Sequence, residues 1–128
     1  MNLQFNRIII DADEQPAVIE RYAGFMYLYR YDLRQEEPIE SETEDTPKNR
    51  YSFVEVRLKG YPNRNETIKD LIRKLVSLED ELKLVNDFNE ASLHNEVNST
   101  DYKDYIKYLE FRREIKQNVR TDFSNAGY

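Results

Sequence analysis

The chain is 128 residues long, enough for one hydrophobic core but not two, and its 25 acids against 19 bases give a formal net charge of −6. That balance argues against a sequence-independent binder of nucleic acid or of an anionic membrane, and the absence of cysteine excludes disulfides, thiolate chemistry and sulfur-ligated zinc. Ten tyrosines and six phenylalanines are too many for a disordered chain, and the apolar runs are too short for a transmembrane helix or a secretory h-region, so a soluble, intracellular α+β domain is expected.

Residues 3–10 (Leu-Gln-Phe-Asn-Arg-Ile-Ile-Ile) are apolar and β-branched enough for a strand, which Asp11, Asp13 and Pro16 then break with turn chemistry. Residues 17–22 can run back as a second strand. A hairpin is the plain reading, and an arm that orders on a partner is the other. Gly24 precedes the clearest strand, residues 25–33, where Phe25, Tyr27, Tyr29 and Tyr31 alternate with Met26, Leu28, Arg30 and Asp32. Residues 35–46 hold six acids, no base and one proline, with Pro47 just beyond, and read as a solvated loop. In residues 51–59, Ser52, Val54, Val56 and Leu58 share one face, while Tyr51, Phe53, Glu55, Arg57 and Lys59 share the other. The two long strands should pair as an antiparallel hairpin around the acidic loop. Placing Met26 and Leu28 in the core with Val54, Val56 and Leu58 leaves Tyr27, Tyr29 and Tyr31 on the opposite face, beside Tyr51 or Phe53.

From Asn63 the period turns helical. Asn63-Arg64-Asn65-Glu66 has the form of a capping box, and Ile68, Leu71, Ile72 and Leu75 follow as one apolar stripe. Ser77, followed by Glu79, Asp80 and Glu81, opens a second helix whose expected buried stripe is Leu78, Leu82, Val85 and Phe88. Asn95, Asn98 and Ser99 make a polar break. A third helix should open at Asp101 and Asp104 and run to about Arg120, with Tyr102, Tyr105, Ile106, Tyr108, Leu109, Phe111, Ile115 and Val119 apolar. Its bases, Arg112, Arg113, Lys116 and Arg120, fall late, as the helix dipole favours. The fold class expected is therefore α+β, an antiparallel sheet followed by three helices packed on one of its faces. The core should include Met26, Leu28, Val54, Val56, Leu58, Ile68, Leu71, Leu75, Leu82, Val85, Leu109 and Ile115.

Little in this pattern supports catalysis. Ile8-Ile9-Ile10-Asp11-Ala12-Asp13 has the strand-then-Asp-x-Asp form of haloacid-dehalogenase-type phosphotransferases, but Glu14 stands in place of the usual glycine and no later acidic pair or positioned lysine completes the set. A polar turn is the plain reading. His94 is the only histidine, so a multi-histidine metal site is impossible, and no nucleophile is evident beside it. Gly24, Gly60 and Gly127 are isolated and form no phosphate-cradling loop. The acidic run lacks EF-hand spacing. The tyrosine face and the N-terminal strand are the features that suggest binding, since aromatic side chains are common at interfaces.

Two stretches carry a resemblance. Tyr51-Ser52-Phe53-Val54-Glu55-Val56 through Gly60-Tyr61-Pro62, then Ile68 to Arg73 and Leu78 to Asn89, are followed by Tyr105-Ile106-Lys107-Tyr108-Leu109-Glu110-Phe111-Arg112. This order resembles small proteins encoded by phages and prophages of gut anaerobes, found among tail and virion genes. The resemblance spans residues 51–119 and departs from the pattern at the long acidic loop and at Glu79-Asp80-Glu81, where Asp-Asp-Glu is expected. It implies a phage structural or assembly role.

The function expected is a non-enzymatic structural or assembly component acting through protein–protein contacts. Its partners would be other phage virion or tail subunits, with a homo-oligomer as a further option, and it would bind no nucleic acid or membrane directly. No metal and no cofactor are expected. The chain would reside in the virion, or in the host cytoplasm during assembly. The partner-binding residues expected are Phe5, Ile8, Ile9 and Ile10 of the N-terminal strand, and Tyr27, Tyr29, Tyr31 and Phe53. The alternative is a small acidic inhibitor that mimics nucleic acid and binds a host enzyme through Glu36 to Asp45.

Overall fold

A computed structural model describes residues 3–37 and 49–128. Four strands, β1 (Ile8–Ala12), β2 (Ile19–Ala23), β3 (Met26–Glu36) and β4 (Asn49–Lys59), precede three helices, α1 (Arg64–Leu75), α2 (Leu78–Leu93) and α3 (Thr100–Asn125). The architecture is the α+β arrangement expected. Most of the acidic run, residues 38–46, lies outside the described residues.

The sheet is antiparallel in the order β1-β4-β3-β2. The expected N-terminal hairpin is not what forms. β1 pairs with β4, Ile8 opposite Phe53 and Ile10 opposite Tyr51, while β2 pairs with β3 across the sheet. The tight hairpin is instead β2–β3, where Ala23 pairs with Met26 around Gly24 and Phe25. Gly24 has φ +53°, a conformation that two-residue hairpin loops require and that glycine adopts without penalty.

The faces of β3 are also reversed from expectation. Tyr27 stands opposite Leu58, Tyr29 opposite Val56 and Tyr31 opposite Val54, and directly opposed residues share a face. The aromatic side of β3 is therefore the core side, and Met26 and Leu28 are half-buried opposite Lys59 and Arg57. The larger ring area is what goes inside, and the Tyr29 and Tyr31 phenols find hydrogen-bonding partners on α3, Asp122 and Asn118.

α1 and α2 begin at the caps expected, Asn63 and Ser77, while α3 is capped by Ser99, which the sequence marks only as part of a polar break. Asn63, Ser77 and Ser99 each accept a backbone N–H from the first turn, those of Glu66, Asp80 and Tyr102. α1 buries Ile68, Leu71 and Ile72, as its stripe requires, with Leu75 half-buried. On α2 the stripe is rotated: Leu84 and Ala91 are buried and Val85 half-buried, whereas Leu78 and Leu82 are exposed. α3 runs one turn past Arg120 to Asn125, because Phe123 continues the buried series Tyr108, Ile115, Val119; Leu109, expected inside, is at the surface. The core joins both layers: Tyr29, Tyr31, Val54, Val56 and Leu58 from the sheet meet Leu71, Ile115, Val119 and Phe123 from the helices.

Candidate functional site

The N-terminal segment is anchored on the fold before β1 begins. Leu3 is buried in the core, and the Phe5 ring meets Tyr31 edge-on at 5.6 Å between centroids. Arg7 then acts as a clamp. Its Nη1 donates to Asp32 Oδ2 at 3.0 Å and its Nη2 to the Asp32 carbonyl at 2.6 Å, while Nε and Nη2 reach the Ser52 hydroxyl at 3.2 and 3.0 Å. Asp32 needs holding: it sits at φ +53°, unusual for a side chain with a Cβ, inside the bulge where the β3–β4 register shifts.

Past that clamp, β1 is an edge strand of the sheet, hydrogen-bonded among the described residues to β4 alone. Ile9 is 62% exposed and Ile8 also stands in solvent, while Ile10 is half-buried opposite Tyr51. The second edge, β2, carries Tyr22 at the surface and leads to Phe25, the most exposed large apolar side chain among the described residues.

The aromatic residues expected to bind a partner divide. Tyr29 is fully buried and Tyr31 nearly so. Phe53 is sealed on the other face of the sheet, with the Arg30 guanidinium 5.3 Å from its ring centre. These three side chains are committed to the chain's own packing, a correction to the reading of β3 and β4 as an open aromatic face. Tyr27 is half-buried in a trio with Tyr61 and Tyr128, with ring centres 5.3–6.3 Å apart, and Tyr61 is exposed.

The residues weighed for catalysis do not converge. Asp11 pairs with Arg50 across the β1–β4 ladder at 2.9 Å, Asp13 is exposed in the following turn, and His94 caps the C-terminus of α2 in solvent. Among the described residues no three His, Cys, Asp or Glu side chains gather as metal ligands would.

Two features were missed in the sequence. The first is the set of apolar side chains left outside by the rotation of α2, Leu78 and Leu82 on α2, with Ile106 and Leu109 on α3. The second is a pocket of about 320 Å³ between α1 and α3, floored by Ile68 and Ile72 and walled by Lys69, Arg73, Arg112, Lys116 and Arg120. Its one carboxylate, Glu81, is already engaged. Arg73 donates to it at 3.2 Å, and Tyr108 donates its phenol to it as well. Burial pushes the Glu81 carboxyl up, but those two hydrogen bonds and the charges of Arg73 and Arg112 outweigh it and hold the group below its usual range. The spacing that could have signalled the pocket is Arg112, Lys116, Arg120, a single stripe at every fourth residue.

No protein-family profile matches the chain, and comparisons with curated proteins and with solved structures return no match.

Proposed function

We propose that the chain is a non-enzymatic interaction component, of a phage particle or of its assembly as the sequence resemblance implies, and that β1 is where a partner subunit adds. The observation that supports this is the outer edge of β1, unpaired among the described residues, with Ile9 62% exposed on it and Arg7 anchoring the chain just before it. An unpaired strand edge presents backbone donors and acceptors to a partner strand, and the alternating side chains supply the specificity. Leaving such an edge bare risks aggregation, and the isoleucines on β1 do nothing to blunt it. Covering Ile9 would contribute roughly 1–2 kcal/mol to association from its apolar area alone. Among the described residues no helix is long and apolar enough to cross a membrane, in keeping with contacts made to proteins.

The test is quantitative mass spectrometry of particles purified from a lysogen or infected host that carries this gene. The chain should be present at a fixed stoichiometry to the tail or virion subunits. Its absence from both particles and assembly intermediates would overturn the reading.

A further inference from the structure

We propose that the trough between α1 and α3 binds a small, multiply charged phosphate, a di- or triphosphate group either free or carried on a nucleoside. The inference does not depend on the interaction role of β1. Five cations line one pocket against a single carboxylate, in a chain whose formal net charge is −6. The concentration of positive charge is local, and among the described residues Arg73 is the only one of the five with an ion-pair partner. Glu81 is shared by Arg73 and Tyr108, and Lys69, Lys116 and Arg120 make no ion pair or hydrogen bond among the described residues.

Arg112 points most directly to a ligand. Its Nε is buried and donates to nothing among the described residues, while its guanidinium lies 5.9 Å from the centre of the Tyr108 ring. A buried N–H without an acceptor is costly, and the planar fork of a guanidinium suits the paired oxygens of a phosphate. Placement supports the same conclusion. Arg112, Lys116 and Arg120 recur every fourth residue on α3, and Lys69 and Arg73 are four apart on α1, so two rigid helices set the geometry. Like charges at that spacing weaken a helix unless an anion lies between them. The apolar floor of Ile68 and Ile72 lowers the local dielectric and strengthens each contact.

Size and charge select a small ligand over a polymer. The volume, about 320 Å³, is at the small end of ligand pockets. A polynucleotide would have to run out of the trough over a surface that is acidic overall.

The experiment is calorimetric titration of the full chain with sodium triphosphate, with ATP and with a twelve-nucleotide oligothymidine, at low and at physiological salt. Triphosphate or ATP should bind saturably at one site and weaken as salt rises. Equal affinities would mean that the phosphates alone are read; a tighter ATP would mean that the nucleoside also contributes. Lys116→Gln and Arg120→Gln, both on an accessible helix flank, should each weaken binding by about tenfold. Arg112→Lys, which keeps the charge and removes the Nε donor, should weaken it comparably while the helical circular dichroism is unchanged. The proposal is overturned if neither phosphate binds at millimolar concentration, if the glutamine variants bind as the parent does, or if the oligonucleotide binds more tightly than ATP.

Discussion

The Tyr29 hydroxyl donates to Asp122 Oδ2 across 2.5 Å, joining the middle of β3 to the last turns of α3 over 93 residues of sequence. Burial, first, and then this bond to Asp122 push the Tyr29 phenol well above its ordinary value, so it stays a neutral donor. The fully buried ring also packs edge-on against Phe123 at 5.2 Å, so a single residue carries both the apolar and the polar contact between sheet and helix. Tyr29→Phe keeps the ring and strands the carboxylate. It should cost about 1–3 kcal/mol, read as a lower urea midpoint at unchanged slope.

Asp122 gives that contact a pH dependence. Burial raises its carboxyl above the usual value of about 4, the Tyr29 bond lowers it in part, and the nearby Asp32 charge raises it again. With a folded-state value above the unfolded one, the native chain binds the proton more readily. Stability should therefore fall as pH rises through the interval between the two values. Asp122→Asn should remove this decline, seen as a flatter melting temperature across mildly acidic pH.

Glu81 should behave in the opposite sense. Its carboxyl is held below the usual range, so its contribution is present above the unfolded value, about 4.3, and is lost as pH falls through the folded one. Glu81→Gln should be less stable than the parent at neutral pH and should converge with it at strongly acidic pH. Parallel melting curves at both pH values would show that the bonds from Arg73 and Tyr108 do not discriminate charge.

The rotation of α2 predicts a contrast between neighbours of the same residue type. Leu84→Ala removes a core side chain and should cost about 2–5 kcal/mol. Leu82→Ala, which trims a side chain 55% exposed, should cost less than about 1 kcal/mol. Equal losses would return Leu82 to the core.

Arg7 makes the N-terminal segment part of the domain. Arg7→Ala deletes the donors to Asp32 and Ser52 and leaves the bulge at Asp32 unsupported. We expect a loss of about 1–3 kcal/mol, with amide exchange rising first along β1.

What could be read in the sequence was what local chemistry decides. The caps at Asn63 and Ser77, the polar break before α3 and the stripe Ile68–Leu71–Ile72 each depend on residues a few positions apart, and all appear in the structure. What could not be read depends on distant partners. Both faces of β3 are apolar enough to be buried, and the choice falls to the register with β4 and to a carboxylate near the far end of the chain. β1 looked set to turn back on β2 because the turn residues follow it at once, yet its partner strand begins 37 residues later at Asn49. On α2, Leu78–Leu82 and Leu84–Ala91 are two overlapping stripes. The buried one is disguised by a small residue and by Glu81, whose partners lie on α1 and α3. The cationic trough is visible as a four-residue spacing on α3, but its second wall exists only once α1 packs beside it.

The central claim, that an open edge at β1 joins this chain to a larger assembly, is tested most directly by incorporation of paired variants into particles. Ile9→Lys places a charge at an exposed position of β1, and Phe25→Lys places one at the still more accessible tip of the β2–β3 hairpin. Neither removes a core contact, so both variants should fold with melting temperatures near the parent's. The Phe25 variant should be incorporated at the parent level, while the Ile9 variant should be depleted at least tenfold in mass spectra of purified particles, a loss of about 1.4 kcal/mol in association. Incorporation of the Ile9 variant at the parent level would contradict the central claim.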